Sequence, residues 1–153
     1  MLTKRELLIL THLRENSRKS LALISRETGI PISTIFEKVN KLEKNTISKY
    51  SSLLDFSKIG FALKINFLLK SKNKKNLKEF LLKNKNINSV LRIIGFFDFF
   101  VEAVFRDMKD VEKFHDDLNE LKLEDKKEIF IIEELKKEKF FTNPEDIKLL
   151  DKL

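Results

Sequence analysis

The sequence contains no cysteine and no tryptophan, and it has only 3 glycines and 2 prolines among its 153 residues. Without cysteine, disulfide bonds and thiolate metal sites are excluded, and a reducing compartment such as the cytoplasm is expected. No run of about 18 uninterrupted apolar residues occurs, so we expect no membrane-spanning helix. The N-terminal stretch MLTKRELLIL is interrupted by charges and has no small-residue cleavage site, so it does not resemble a signal peptide.

Groups suited to catalysis are scarce. The only two histidines are His12 and His115, and neither belongs to a set of ligands with metal-binding spacing. No glycine-rich phosphate loop occurs. We therefore expect a protein that is not an enzyme and that has no metal and no cofactor.

Charge is unevenly placed along the chain. Residues 1–92 hold 20 Lys and Arg against 7 Asp and Glu, whereas residues 93–153 hold 11 against 17. Such a division predicts that the basic N-terminal part of the chain binds an anionic partner such as nucleic acid. The alternative is that the lysines merely reflect an AT-rich genome.

The first 45 residues carry the signals of three helices. Thr3 followed by Glu6 forms a capping box, which predicts a helix from about Thr3 to Glu15. Ser20 can cap a second helix that ends at Gly29, and Pro31 can open a third. Two short helices joined by a tight glycine-bearing turn after a first helix are typical of the helix-turn-helix.

The third helix is the candidate DNA reader. Ile35, Val39 and Leu42 recur at helical spacing and face inward. In this motif the outward side chains near the N-terminus of the third helix reach the major groove. The predicted DNA-binding residues are Ser33, Thr34, Glu37, Lys38, Lys41, Lys44 and, in a following small wing or connecting strand (residues 45–56), Lys49. Alternatively, Ser33 and Thr34 only cap the helix and the lysines form a solvated face.

Two strand-helix-strand patterns follow residue 60. The predicted strands cover residues 61–70, 89–95, 99–106 and 126–135, and the predicted helices cover residues 74–84 and 108–121. The order strand, helix, strand, strand, helix, strand predicts a ferredoxin-like domain, so the whole chain is expected to be α+β.

The third of these strands predicts a dimer. Phe99, Val101, Ala103 and Phe105 alternate onto one face, while Phe100 and Val104 lie on the other. Two helices cover only one face of a four-stranded sheet. Phe100 and Val104 are therefore expected to meet a second copy of the chain.

Two motifs resemble those of the Lrp/AsnC family, the leucine-responsive "feast/famine" transcription regulators. The first is NSRKSLALISRETGIPISTIFEKVNKLEK, from Asn16 to Lys44. The second is GFFDFFVEAVFRD, from Gly95 to Asp107, in which Phe97 stands where the family has tyrosine in Gly-x-Tyr-Asp. The resemblance covers about residues 1–135. It adds Arg18, which precedes the second helix, to the expected DNA-binding residues.

The resemblance implies an N-terminal winged helix-turn-helix (residues 1–50), a hinge (51–60) and a ferredoxin-like RAM/ACT-like βαββαβ domain (61–135). The remaining residues, 136–153, would be a C-terminal extension with a short helix that begins at Asn143 and Pro144 and packs on a partner subunit. The family binds double-stranded DNA as homodimers, which often assemble into tetramers or octamers. An amino-acid effector is expected near Gly95, Phe97 and Asp98.

Within that effector site, Gly95 would let the backbone approach closely, and Asp98 would order the loop or attract an α-ammonium group. The alternative is that Asp98 only caps the turn through its own backbone. The family usually has one glycine after the third helix and another within the wing. Both are absent here, which weakens the expectation of a wing with the family's geometry. Two other functions are open on the same fold: an interaction protein that does not bind DNA, and an enzyme resembling the sirohaem decarboxylases.

Overall fold

The computed structural model describes residues 2–150. The chain divides into two compact units, Met1–Ser52 with Leu135–Leu153 and Leu53–Glu134. Within the described residues, the first unit holds three α-helices, and the second holds a four-stranded sheet with two α-helices. None of the helices within residues 2–150 is long and apolar enough to cross a membrane.

The first unit has the predicted three-helix order. Its helices are α1 (Lys4–Glu15), α2 (Leu21–Thr28) and α3 (Ile32–Asn45). Local capping sets their ends as the sequence predicts. The Thr3–Glu6 capping box begins α1, Ser20 caps α2, and Gly29 ends α2 in the left-handed conformation with a φ of 71°. Pro31 occupies the N-cap of α3, one residue before its expected place in the first turn.

A small apolar core joins the three helices. The buried members are Ile9, Leu13, Ile24, Ile30, Ile35 and Leu42, with Val39 and Ile47 partly buried against them. The inward face of α3 predicted from helical spacing is therefore confirmed.

The predicted wing or connecting strand of residues 45–56 does not form. Residues 47–55 have no regular secondary structure, and a 3-10 helix (Phe56–Ile59) capped by Asp55 follows. The segment is held at its start instead. The Ile47 N–H donates to the Leu42 carbonyl at 2.8 Å, and the Tyr50 hydroxyl donates to Glu43 at 3.0 Å. A strand requires a hydrogen-bonded partner, and no strand of the described residues pairs with this segment.

The second unit has the ferredoxin-like order β1 (Leu63–Lys70), α4 (Lys74–Lys83), β2 (Ile87–Arg92), β3 (Phe99–Phe105), α5 (Met108–Glu120) and β4 (Asp125–Phe130). The sheet order is β2-β3-β1-β4, and all three pairs are antiparallel. The predicted fold class is confirmed.

Three strands differ in extent from the prediction, and the first of them, β1, begins at Leu63 rather than at residue 61. β4 ends at Phe130, which pairs with Ile65 of β1, rather than near residue 135. One further backbone bond runs from the Ile131 N–H to the Lys64 carbonyl at 3.2 Å, and the chain then has no regular secondary structure up to residue 138. β2 begins two residues early and contains a bulge between Ile87 and Ser89.

One face of the sheet is covered by α4 and α5. Phe99, Val101, Ala103 and Phe105 of β3 all lie in this core, as predicted, together with side chains from β1 and both helices. Phe114 of α5 stacks at tilted angles on Phe67 and Phe105, with ring centroids 5.1 and 5.4 Å apart. The other face, with Leu68 and Phe100, is turned away from α4 and α5.

The C-terminal segment belongs to the first unit. Asn143 caps a 3-10 helix (Pro144–Leu149) through a capping box, so the short helix predicted there is of the 3-10 type. This helix contacts α1 of its own chain. The packing on a partner subunit that the sequence suggests stays a prediction. Arg14 of α1 pairs with Glu138, and its Nε donates to the Phe140 carbonyl at 3.3 Å.

Candidate functional site

The outer face of α3 is available to a ligand. Ile35 and Leu42 hold the helix to the core, and the opposite side is exposed. Of the predicted residues on α3, the exposed ones are Ser33, Glu37, Lys41 and Lys44, whereas Thr34 and Lys38 are half-buried. Successive helical residues are about 100° apart, so Ser33, Glu37 and Lys44 share one side of α3.

Two predicted residues lie outside α3. Arg18 is exposed in the loop between α1 and α2, where its N–H donates to the Asn16 side chain at 3.0 Å. Lys49 is exposed in the irregular segment after α3, rather than on a wing.

A buried carboxylate lies beneath two of the predicted lysines. Glu6 of α1 has no exposed surface, and its Oε1 accepts from Lys38 at 3.1 Å and from Lys41 at 3.0 Å. Its Oε2 accepts from the Thr3 N–H at 2.8 Å. The Thr3 backbone N–H, followed by the two ammonium groups, holds the pKa of Glu6 far below its usual range. Glu6 therefore remains charged, and its bonds to Lys38 and Lys41 join α3 to α1.

A second cluster joins α1 to α2. The Lys19 ammonium lies 2.6 Å from Glu27 and 3.1 Å from the His12 Nδ1. Burial, reinforced by the Lys19 charge, lowers the pKa of His12, while Glu27 raises the pKa of Lys19. His12 is thus a structural residue of the helix-turn-helix.

Five exposed residues of α3 are not among the predicted DNA-binding residues: Ile32, Phe36, Asn40, Glu43 and Asn45. Ile32 is 50% exposed and Phe36 is 57% exposed. Ile32, Phe36 and Asn40 recur at every fourth position of α3. The buried positions of a helix follow its period, so the exposed positions between them can be read from the same sequence pattern.

The turn between β2 and β3 contains the second predicted site. Gly95 has a φ of 151°, which side chains rarely adopt, and no atom within 4 Å would meet a Cβ added there. Glycine at position 95 is needed for this backbone conformation. Since no atom would meet the added Cβ, the expected close approach of the backbone does not occur within the described residues of this chain. The Ile93 N–H donates to the Asp98 carbonyl at 3.0 Å and closes the turn.

The Asp98 carboxylate joins this turn to the corner between β1 and α4. It accepts from the Ser71 N–H at 3.1 Å and pairs with the Lys74 ammonium at 2.5 Å. Lys74, followed by the Ser71 N–H, lowers the pKa of Asp98. Its charge is therefore used within the chain to order the loop.

Two phenylalanines and two lysines surround Asp98. The Phe96 ring is 64% exposed, whereas Phe97 is nearly buried, and their centroids are 5.1 Å apart. The Lys70 ammonium lies 4.2 Å from the Phe96 centroid, and the Lys127 ammonium lies 5.7 Å from that of Phe97. The turn thus combines an exposed aromatic surface with two cations.

The face of the sheet opposite the helices, called here the uncovered face, carries both predicted interface residues. Phe100 pairs across to Leu68 on one side and Leu91 on the other, which gives an apolar row across three strands. Val104 is already only 9% exposed. Beside this row, Lys64 pairs with Glu102 at 3.3 Å, and the buried Asn66 Oδ1 has no hydrogen-bond partner.

No group of three or more metal-ligating side chains occurs within the part of the chain that the structure describes. Two surfaces carry the predicted site residues: a basic, partly apolar helix face in the first unit, and an aromatic turn beside an uncovered sheet face in the second. This arrangement defines a class, the DNA-binding regulator with a separate ligand-binding domain.

Comparison with known proteins identifies the family. Residues 65–139 match the Lrp/AsnC ligand binding domain, and residues 2–45 match a winged helix-turn-helix DNA-binding domain. An HTH-type transcriptional regulator of Pyrococcus furiosus is 33% identical over 113 residues, which cover 70% of this chain and 73% of that protein. One from Pyrococcus horikoshii is 27% identical over 139 residues, which cover 89% and 94%. The chain belongs to the Lrp/AsnC family of transcriptional regulators.

Solved structures share the fold. The transcriptional regulator NMB0573 of Neisseria meningitidis, solved as a complex with L-Met, has a TM-score of 0.83 at 22% identity and covers 90% of this chain and 94% of its own. LrpC of Bacillus subtilis has a TM-score of 0.80 at 22% identity, with 89% and 98% covered.

Proposed function

We propose that this transcriptional regulator places α3 in the major groove of double-stranded DNA. Ser33, Thr34 and Glu37 would meet base edges, because they lie in the first two turns of the helix. The remaining predicted residues would meet phosphates: Arg18, Lys38, Lys41, Lys44 and Lys49. The observation that carries this proposal is the exposed outer side of α3, whose inner side is fixed by Ile35 and Leu42.

The proposed functional form is a homodimer joined through the uncovered face. The row of Leu91, Phe100 and Leu68 is apolar and lies on the face of the sheet that α4 and α5 do not cover. A dimer presents two α3 helices, which suits a DNA site with two half-sites about one helical turn apart. The tetramers or octamers implied by the resemblance would be built from such dimers, and the proposed role is not catalytic.

An amino-acid effector at the turn near Gly95, Phe97 and Asp98 is the regulatory part of the proposal. The Neisseria regulator, which shares the fold, was solved with L-Met. In this chain the Lys70 and Lys127 ammonium groups suit a carboxylate, and the exposed Phe96 ring suits an apolar side chain. Asp98 would shape the site rather than bind the α-ammonium group, because its carboxylate already pairs with Lys74.

DNA binding is tested by a salt titration with duplexes selected from the organism's own DNA. If each dimer neutralises about 6–8 phosphates, the logarithm of the affinity should fall with the logarithm of salt at a slope of about −5 to −7. Lys44→Ala should weaken binding to all sequences. Ser33→Ala should change the preference between sequences by about 1–3 kcal/mol. A slope near zero excludes this mode of binding, and equal effects of Ser33→Ala on selected and random DNA exclude base reading.

The effector is tested by thermal shifts with each of the twenty amino acids. One of them should stabilise the wild type and change DNA affinity by about five- to a hundredfold, which corresponds to a coupling of about 1–3 kcal/mol. Lys70→Gln should abolish the shift because it removes the cation beside Phe96. Lys72→Gln, which alters an exposed lysine of the following loop, is the matched control and should respond as the wild type does. If no amino acid stabilises the wild type, the turn is structural only.

A further inference from the structure

Two large apolar side chains project from α3. Ile32 is 50% exposed and Phe36 is 57% exposed, and they lie one turn apart in the N-terminal half of α3. The core of this unit is filled by other residues of α3, chiefly Ile35 and Leu42. Ile32 and Phe36 are therefore not needed for folding in the way that a buried side chain is, and both are available to contact a ligand.

Their neighbours on α3 are the polar residues proposed to reach base edges. Ser33 follows Ile32, Glu37 follows Phe36, and both polar side chains are exposed. A helix that enters the major groove presents the residues of its first turns to the bases. Ile32 and Phe36 would then lie at the depth of the base edges rather than at the phosphates.

Only one apolar group is displayed on base edges in the major groove, the 5-methyl group of thymine. The other edge atoms are hydrogen-bond donors and acceptors, which an isoleucine or phenylalanine side chain would desolvate without replacing their bonds. We infer that Ile32 and Phe36 are specificity-determining residues that read thymine methyl groups in the bound DNA. This inference rests on the proposed placement of α3 in the major groove.

A third exposed residue of α3 favours the same base pairs. Asn40 lies one turn beyond Phe36 and is exposed. An asparagine amide bonds adenine through its N6 and N7 atoms. Phe36 and Asn40 together would select sites in which thymine and adenine occur within the reach of about one helical turn of α3.

The test replaces thymine by uracil, which lacks only the methyl group. Duplexes are first selected by the wild-type protein from a random pool, and each thymine of a selected site is then replaced in turn. Wild-type affinity should fall about three- to fivefold at one or two positions in each half-site, as expected for one buried methyl group. Phe36→Ala or Ile32→Ala should bind the thymine and uracil duplexes equally at the position that each side chain reads.

Lys44→Ala is the matched control on the same helix. It should weaken binding to every duplex while keeping the full difference between thymine and uracil. Circular dichroism melting should show that Phe36→Ala remains folded, since the side chain is largely exposed.

The outcomes separate this inference from the function on which it rests. A wild-type protein that binds selected DNA but is indifferent to every uracil replacement overturns the methyl reading and leaves the DNA-binding proposal intact. A wild-type protein that selects no sequence overturns the DNA-binding proposal itself. If Phe36→Ala keeps the uracil sensitivity and instead changes the oligomer mass, the side chain belongs to a protein interface and the inference is wrong.

Discussion

Glu6 links the fold of the first unit to its proposed function. One oxygen of its carboxylate completes the capping box at the start of α1, and the other receives the ammonium groups of Lys38 and Lys41 on α3. A carboxylate without exposed surface is stable as an ion only when it is paired and hydrogen-bonded, and here both conditions are met. The same two lysines are proposed to meet DNA phosphates, so Glu6 and DNA compete for their charge.

We expect Glu6→Gln to lower stability and to increase general affinity for DNA. Glutamine keeps the shape and can still complete a capping box, but it removes the charge opposite Lys38 and Lys41. The salt dependence of DNA binding should steepen by up to about one unit for each lysine released. Thr11→Val serves as a stability control, because Thr11 is buried on α1 and its hydroxyl donates to the Leu8 carbonyl rather than to a lysine of α3. An unchanged salt slope would show that these lysines do not contact phosphate.

The pH dependence of that stability difference has a defined sign. The pKa of Glu6 is lower in the folded protein than its ordinary value of 4.5, so the folded state favours the ionised form. Glu6 therefore contributes stability at neutral pH, and this contribution is lost as pH falls below 4.5 toward the folded pKa. The unfolding curves of wild type and Glu6→Gln should converge on acidification, and thermal melts from pH 7 to pH 3 would measure it.

At the scale of elements, sequence prediction succeeds where the determinants are local. The caps of α1 and α2 depend on Thr3, Ser20 and Gly29, each acting within a few residues, and all three occur as predicted. The alternation of β3 is also local and places its core residues correctly. The wing fails because a strand needs a partner elsewhere in the chain, which no local pattern supplies.

The same limit applies to the sites. The bonds from Lys38 and Lys41 to Glu6 span 32 and 35 residues, so the sequence predicts the lysines but not their internal partner. Asp98 is similar, since its carboxylate bonds Ser71, which is 27 residues away.

The C-terminal segment has an intrachain contact that the sequence did not predict. It leaves the second unit after Glu134 and rejoins the first, where the 3-10 helix Pro144–Leu149 contacts α1. Arg14 pairs with Glu138, which lowers the pKa of that carboxyl. The segment is thus part of the DNA-binding unit.

Deleting residues 136–153 should lower the thermal midpoint of the helix-turn-helix unit, because α1 loses its covering segment. Arg14→Ala should reproduce only a small part of this loss, about 0.2–1 kcal/mol, since the ion pair is exposed. Arg5→Ala, near the other end of α1, is the control and should leave the midpoint closer to that of the wild type. Thermal melts followed by circular dichroism give the midpoints, and denaturant unfolding gives the free-energy difference for Arg14→Ala. A deletion variant as stable as the full chain would show that the contact contributes nothing.

Across the whole molecule, the units redistribute the charge seen along the sequence. The unit with the helix-turn-helix holds 15 Lys and Arg against 9 Asp and Glu, while the sheet unit holds 16 against 15. The sequence division at residue 92 overstates the contrast, because the lysine-rich α4 folds with the acidic α5. The basic surplus thus belongs to the unit that is proposed to meet DNA, and the nearly neutral unit is suited to self-association.

Self-association is tested at Phe100. It lies on the uncovered face, directly between Leu68 and Leu91, so an aspartate there would be buried without a partner if two such faces meet. We expect Phe100→Asp to convert the dimer to a monomer in size-exclusion chromatography with light scattering, while the helical signal persists. Its DNA affinity should fall with the loss of the second α3.

Leu82→Asp is the matched control for that variant. It places the same charge at a large exposed apolar residue of the same unit, on α4 and away from the uncovered face. Since α4 packs on the opposite side of the sheet, this variant should remain dimeric. Val104→Asp is a less specific test of the interface than Phe100→Asp. Val104 is almost buried within one chain, so a charge there would also destabilise the sheet itself. If Phe100→Asp and Leu82→Asp are both dimers, the two copies meet through another surface, and the unpaired Asn66 Oδ1 must find its partner elsewhere.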